Sequence, residues 1–303
     1  MPEQTINQEV YLPLLLEKKV SLFIKREDLL HPLISGNKYR KLKYNLIEAR
    51  KRGFEKILTF GGAFSNHIAA TAYAGKKLGF ETIGIIRGDE LLEKWSDNAT
   101  LKLAHDHGMQ FKFVSRENYR EREKPSFLNW LKVQLGSFYL LPEGGTNPLA
   151  IRGCEEILNA FDADFDVVCC AVGTGGTIAG LINAAQAEQQ VLGFSALKGN
   201  FLKEDIRKFA SKENWELQSE YHFGGYGKVT EELVNFINDF RQKTLIPLDP
   251  IYTGKLVFGI VDLIKKDYFA PETKILAIHT GGLQGIAGMN EKLKRKNLPS
   301  IRV

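Results

Sequence analysis

Short apolar runs alternate with helical patterns along nearly the whole chain, and this alternation limits the fold more than any other feature. Ile57-Leu-Thr-Phe60 reads as a buried strand. Residues 65–78 follow as a helix, with Ile68, Ala69, Ala72 and Leu78 along one side and Gly79 as its stop. Thr82–Arg87 is the next strand, 97–107 a helix ending at Gly108, and Phe111–Val114 a strand again. The second half repeats the order: a helix over 148–161 with Pro148 near its start, strand 166–172, helix 177–188, strand 191–197, helices 230–242 and 254–266, strand 274–279 and a closing helix 283–296. Such alternation specifies an α/β protein with mostly parallel sheets covered by helices on both faces. Two such series in 303 residues suggest two domains. Residues 116–136 and 199–228 break the pattern and read as surface excursions.

With 44% hydrophobic and 25% charged residues the chain can bury a sizeable core and is not disordered. The net charge of +5 is spread out rather than gathered in the stripe that a nucleic-acid binder shows. The basic clusters at 38–43 and 292–296 lie in helical patterns and read as solvated helix faces. No run approaches the ~18 apolar residues of a membrane span, and the polar N-terminus is no secretory signal. Cys154, Cys169 and Cys170 make a poor disulfide framework, and the adjacent pair reads as strand core. A reducing, cytoplasmic setting is expected, with no metal, nucleic-acid or membrane partner.

In parallel sheets ligands bind beyond the carboxyl ends of the strands. Four Gly-rich turns stand at such places: Gly61-Gly-Ala-Phe-Ser-Asn66, Pro142-Glu-Gly-Gly-Thr-Asn147, Gly173-Thr-Gly-Gly-Thr177 and Thr280-Gly-Gly282. The third lies between an apolar strand and an Ala-rich helix, where backbone N–H groups, the helix N-terminus and threonine hydroxyls favour a phosphate. A plain strand–helix turn without ligand is the competing reading. The turn is neither a Walker A loop nor G-x-G-x-x-G, so a single phosphate is favoured over a dinucleotide. Lys38 opens a helix with Tyr39, Leu42, Leu46 and Ala49 on one side, capped by Ser35 or Asn37 and ending at Gly53. A lysine at the positive end of a helix, in a partly dry pocket, is biased towards the neutral amine that forms Schiff bases. Taken alone, a lone lysine beside a helix start reads as solvated surface instead.

Lys38 in S-G-N-K-x-R-K, then G-G-x-x-S-N before a helix, then G-T-G-G-T after a buried strand is a specific order of motifs. It resembles the fold-type II pyridoxal-phosphate enzymes, and within them the family of 1-aminocyclopropane-1-carboxylate deaminase and D-cysteine desulfhydrase. The resemblance runs from Leu22-Phe-Ile-Lys-Arg-Glu-Asp28 to His279-Thr-Gly-Gly282. It implies two three-layer α/β/α domains of tryptophan synthase β-like architecture: residues 1–42 and 148–303 as the larger, cofactor-binding domain, and 43–147 as the smaller. It also implies a homodimer.

By motif, Lys38 matches the lysine joined covalently to pyridoxal phosphate. Lys41 matches a second lysine near the phosphate. Gly173, Thr174, Gly175, Gly176 and Thr177 match the phosphate loop. Asn66 matches the asparagine near the cofactor's phenolic oxygen, and Ser65 the serine that helps to hold the substrate carboxylate. His67 stands where many deaminases have glutamine; it can donate to that carboxylate or lie on the helix surface. Tyr252 matches the active-site tyrosine. Deaminases follow that tyrosine with a Glu facing the pyridine nitrogen and carry Leu in place of Thr280. Here the residues are Thr253 and Thr280, as in the desulfhydrase branch. A carboxylate beside the ring nitrogen keeps it protonated, the strong electron sink that opening a cyclopropane requires. A hydroxyl there leaves the ring largely neutral, which suffices for β-elimination. The expectation is therefore β-elimination on a D-amino acid, D-cysteine first. The deaminase, another lyase of the class and a non-catalytic phosphate-binding module are the alternatives.

Overall fold

The computed structural model describes residues 5–31, 34, 36–199 and 202–302. Its ten strands are β1 (Asn7–Val10), β2 (Ser21–Lys25), β3 (Lys56–Gly61), β4 (Glu81–Arg87), β5 (Met109–Val114), β6 (Tyr139–Leu141), β7 (Val167–Val172), β8 (Gln190–Ser195), β9 (Trp215–Gln218) and β10 (Lys274–Ile278). They form a six-stranded sheet of order β1-β2-β10-β7-β8-β9 and a four-stranded sheet of order β5-β4-β3-β6. Every pairing is parallel except that of β1 with β2.

Strand β7 shows why the sequence reads as an unbroken apolar run. All six residues are buried. Val167, Cys169 and Ala171 face the Glu231–Thr244 and Thr253–Lys265 helices, while Val168, Cys170 and Val172 face the Gly176–Ala184 and Leu202–Arg207 helices. Side chains alternate across a strand, so a sheet covered on both sides needs apolar residues at every position. The three cysteines are buried and unbridged. In the smaller sheet, Ile57 packs with Leu42, Leu46 and Ala49 of the Asn37–Lys51 helix, whereas Leu58 and Phe60 face the opposite layer.

Two of the expected surface excursions are parts of the fold. The Arg116–Arg120 and Pro125–Leu135 helices cover one face of the small sheet, with Tyr119 and Leu131 buried against Leu58, Phe60, Ile83 and Ile85. Charged flanks hide this apolar stripe in the sequence. Residues 199–228 supply the Leu202–Arg207 helix and the edge strand β9. The helix expected over 148–161 stops at Glu155, and a short 3-10 turn over Ala160–Asp162 follows, closed by a capping box from Asn159.

The basic cluster at 38–43 is not a solvated face. Arg40 and Lys41 are each only 2% exposed. Arg40 makes a two-pronged ion pair to the fully buried Glu27, with Nε and Nη2 each 2.9 Å from a carboxylate oxygen. Lys25 and Asp162 form a second buried pair at 2.8 Å. Among the described residues no helix is long and apolar enough to cross a membrane.

Candidate active site

The four Gly-rich turns leave the carboxyl ends of β3, β6, β7 and β10 and converge on one cavity of about 610 Å³. Its wall includes Lys38, Lys41, Ser65, Asn66, His67, Gly173, Thr174, Gly175, Thr177, Tyr252 and Thr280. Residues separated by up to 242 positions meet because parallel strands all point the same way and deliver their following turns to one end of the sheet.

Lys38 lies in the first turn of the Asn37–Lys51 helix. Burial, with the charge of Lys41 second, holds its ammonium well below the ordinary lysine range. Among the described residues its one hydrogen-bonded oxygen is the Gly144 carbonyl at 3.4 Å. Lys41, one helical turn on, has three: Gly144 O at 3.1 Å, Thr146 Oγ1 at 3.1 Å and Thr174 Oγ1 at 3.4 Å. Three oxygens match the three donors of an ammonium. The pair is thus unequal: burial lowers both ammoniums, but Lys41, ringed by oxygens, less than Lys38, which is pressed further towards the neutral amine. Asn37 does not cap this helix. Gly36 occupies the N-cap with no side-chain bond, and Ser35 lies outside the described residues. Asn37 instead donates to Thr177 Oγ1 at 2.8 Å, tying this helix to the glycine turn of the other sheet. Gly36, at φ +59°, brings its Cα so close to Thr280 that a Cβ would stand 2.1 Å from that residue's carbonyl oxygen.

The Gly173–Thr177 turn opens the Gly176–Ala184 helix, with Gly175 in the left-handed region at φ +78°. A Cβ on Gly176 would meet Thr146 Oγ1 at 2.8 Å and Lys41 Nζ at 3.1 Å, so only glycine lets the backbone come this near to the ammonium. Helix N-terminus, hydroxyls and Lys41 make a phosphate cradle. A cavity with such a cradle on one wall and a near-neutral lysine on another fits pyridoxal phosphate.

Ser65 caps the Asn66–Leu78 helix, accepting from Ile68 N at 3.3 Å. Asn66 Oδ1 accepts from Gln284 Nε2 at 3.0 Å, which leaves its amide N–H groups for the cavity. Gln284 carries no motif and was invisible to sequence reasoning. His67 is neither on the surface nor a donor to the cavity. It is 1% exposed, and its Nε2 lies 2.8 Å from Thr59 Oγ1. Thr59 spends its only proton on the Leu141 carbonyl at 3.0 Å, so Nε2–H must donate to Thr59. Nδ1 then carries a lone pair and has no partner among the described residues. Burial, then the charges of Lys38 and Lys41, keep the ring from protonating.

Thr253 also departs from expectation. It is fully buried, and its hydroxyl donates to Asp249 Oδ1 at 2.8 Å while accepting from Asp249 N at 2.8 Å. Asp249 further accepts from the backbone of Ile251, Tyr252 and Thr253. The threonine serves this turn at the start of the Thr253–Lys265 helix and does not line the cavity. Thr280 does, and its hydroxyl has no partner among the described residues. His279 shapes the turn that carries it: Nε2 donates to the Pro247 carbonyl at 2.7 Å, and Nδ1 accepts from Gly281 N at 3.2 Å.

Tyr252 has a companion that sequence reasoning missed. Tyr226 lines the same wall, its ring edge-on to Tyr252 with centroids 6.2 Å apart. The neighbouring phenols act on each other electrically: Tyr252 draws the Tyr226 hydroxyl down, and Tyr226 pushes that of Tyr252 up. Burial nonetheless pushes both phenols above their ordinary value, Tyr252 well above it. The run Gly224-Gly-Tyr-Gly227 was the available signal, since glycine on both sides marks a turn shaped for close approach. Lys255 holds that turn, with Nζ 2.8 Å from His222 O and 2.9 Å from Gly225 O. Burial draws its ammonium down to about 8.

Two covered parallel sheets, with a cation-backed phosphate cradle and a near-neutral lysine between their turns, define a fold-type II pyridoxal-phosphate enzyme. The chain belongs to the family described as pyridoxal-phosphate dependent enzyme, which it matches over residues 10–281. Within it the relatives are of the 1-aminocyclopropane-1-carboxylate deaminase and D-cysteine desulfhydrase group. A Pyrococcus abyssi protein provisionally named 1-aminocyclopropane-1-carboxylate deaminase is 34% identical over 93% of this chain and 91% of its own. An Arabidopsis thaliana protein named bifunctional D-cysteine desulfhydrase/1-aminocyclopropane-1-carboxylate deaminase, mitochondrial, is 33% identical over 88% of this chain and 73% of its own. The crystal structure titled as an ACC deaminase homologue superposes with a TM-score of 0.82 at 31% identity, covering 97% of this chain and 94% of that one.

Proposed function

We propose that this enzyme catalyses β-elimination on a D-amino acid, with D-cysteine as the leading substrate. The net reaction is D-cysteine plus water giving pyruvate, hydrogen sulfide and ammonium. The observation that carries the reading is Thr280, a cavity-lining hydroxyl without a partner among the described residues, at the position where deaminases carry leucine. Thr253 supports it only by residue type, because its side chain serves Asp249.

Pyridoxal phosphate, when bound, supplies the electron sink for a carbanion at the substrate's Cα. Lys38 would carry the cofactor, and Lys41 with the Gly173–Thr177 turn would take its phosphate. Asn66, held by Gln284, would donate to the ring oxygen, and Thr280 would face the ring without protonating it. The Nζ of Lys38, held towards the neutral amine, would be the base for the Cα proton. Ser65 and the helix start at Asn66 would hold the carboxylate; His67, whose Nδ1 is an acceptor, leaves that task to them. Tyr252 Oη, held as a phenol by burial, keeps a proton for the leaving group, with the Tyr226 ring packed edge-on beside it.

The test is a panel of D-cysteine, L-cysteine, D-serine, β-chloro-D-alanine and 1-aminocyclopropane-1-carboxylate, read as 2-oxo acid formed. Turnover of D-cysteine well above the cyclopropane is expected. Efficient deamination of the cyclopropane with D-cysteine ignored overturns the reading in favour of the deaminase. A homodimer, and the division into 1–42 with 148–303 and 43–147, belong to the same proposal. Light scattering and limited proteolysis check them.

A further inference from the structure

The cavity is lined by several charged groups, and among the described residues its cations other than Lys38 and Arg87 have close polar partners. Arg122 pairs with Glu143 at 3.0 Å, Lys208 with Asp205 at 2.6 Å, and Lys41 is ringed by oxygens. With Lys38 assigned to the cofactor, Arg87, the last residue of β4, is the remaining exception. It is half-buried, its guanidinium carbon is 5.6 Å from the centroid of the Tyr119 ring, and among the described residues it has no carboxylate partner. Its Nη2 lies 3.4 Å from where a Gly62 side chain would begin, so the head group reaches over the Gly61–Asn66 turn. It also bears on Tyr226, another residue of the lining: its charge draws that hydroxyl down against the effect of burial. A cation–π contact with an aromatic face helps to hold a guanidinium in place and leaves its N–H donors unspent.

We propose that Arg87 determines specificity for the substrate side chain: it binds an anionic group carried on Cβ, so the site prefers amino acids with an acidic or thiolate β-substituent to those with a neutral one. The inference rests on the amino-acid lyase reading for what enters the cavity, though not for which bond breaks. In that reading the α-carboxylate has its own place at the start of the Asn66–Leu78 helix. The unmatched guanidinium beside that turn then meets a second anion. In elimination from D-cysteine the sulfur leaves with the electron pair of the C–S bond, and Arg87 supplies the counter-charge to the departing sulfide. A fixed, partly desolvated guanidinium is suited to this, because a charge-assisted hydrogen bond there is stronger than a neutral one.

The experiment compares non-eliminating ligands on the holoenzyme: D- and L-aspartate against D- and L-alanine, with affinities taken from the near-visible spectrum and from calorimetry. Wild type, Arg87→Met and Arg87→Lys are measured in parallel with D-cysteine turnover. Wild type should prefer aspartate to alanine of the same hand. Arg87→Met should lose about ten- to hundredfold of that preference, and Arg87→Lys should keep part of it. Equal loss for aspartate and alanine would mean that Arg87 holds the α-carboxylate, which overturns the proposal. So would an unchanged preference, or a wild type that favours alanine. If D-cysteine is not eliminated but the Arg87-dependent preference stands, the lyase reading fails alone. If D-cysteine is eliminated and the preference is missing, this inference fails alone.

Discussion

Lys41→Met tests the division of labour between the two lysines. Both ammonium nitrogens lie near the Gly144 carbonyl oxygen, at 3.4 Å for Lys38 and 3.1 Å for Lys41, so they are at most about 6.5 Å apart. At an effective dielectric constant of about 20, two unit charges at that separation repel by about 2.5 kcal/mol. Removing Lys41 takes this penalty off the Lys38 ammonium. The Lys38 pKa then rises, and less of the neutral amine is present at neutral pH. The assay uses apoenzyme and pyridoxal, which lacks the phosphate, so the other role of Lys41 does not interfere. Initial rates of the near-visible band are followed against pH, and borohydride trapping with peptide mapping locates the adduct. Wild type should reach its plateau at lower pH than the variant, and the two should converge in strong base. With pyridoxal phosphate in place of pyridoxal, the variant should also bind tenfold or more weakly, because the phosphate loses a charge-assisted partner. An unchanged or lowered midpoint, or an adduct on another lysine, would refute the assignment of Lys41 as the fixed cation and Lys38 as the amine.

Thr253→Val should cost about 1–3 kcal/mol of apoenzyme stability by denaturant melts, since it strips a buried carboxylate of a donor. Thr280→Val should leave stability nearly intact and alter the cofactor's absorption and D-cysteine turnover; the reverse pattern would return Thr253 to the cavity. Arg40→Met leaves Glu27 buried and without its two-pronged partner, so a loss of about 3–5 kcal/mol is expected, part of it recovered in Arg40→Met/Glu27→Met. Lys255 gives a pH signature. Its folded pKa, about 8, lies below the unfolded value near 10.4, so between these the unfolded state holds the extra proton and stability rises with pH. Denaturant midpoints measured across that window should show the rise, and Lys255→Met should flatten it.

Much of the fold was legible because its signals are local. Strand β7 declared itself by an unbroken apolar run, the Asn66–Leu78 helix by its apolar spacing and Gly79, and the four ligand turns by glycine at strand ends. Residue chemistry and spacing therefore determined an α/β chain and favoured a phosphate at the Gly173–Thr177 turn, while the short list around Lys38 came from the order of motifs and the family it resembles. The sequence was misleading where a charged residue has an interior partner. Arg40 and Lys41 read as a solvated face because Glu27, Thr146 and Thr174 lie 13, 105 and 133 residues away. Only chain closure brings those partners in, and it is their presence that makes burial of the charge tolerable. Tertiary structure likewise decided side-chain direction. Thr253 and Thr280 are equal as letters, yet one is claimed by Asp249 and the other opens on the cavity. His67 could have donated from either nitrogen until Thr59, itself committed to Leu141, settled which one carries the proton. A motif specifies which groups are available. Which of their donors and lone pairs remain unspent is set by the neighbours that folding supplies, and that remainder does the chemistry.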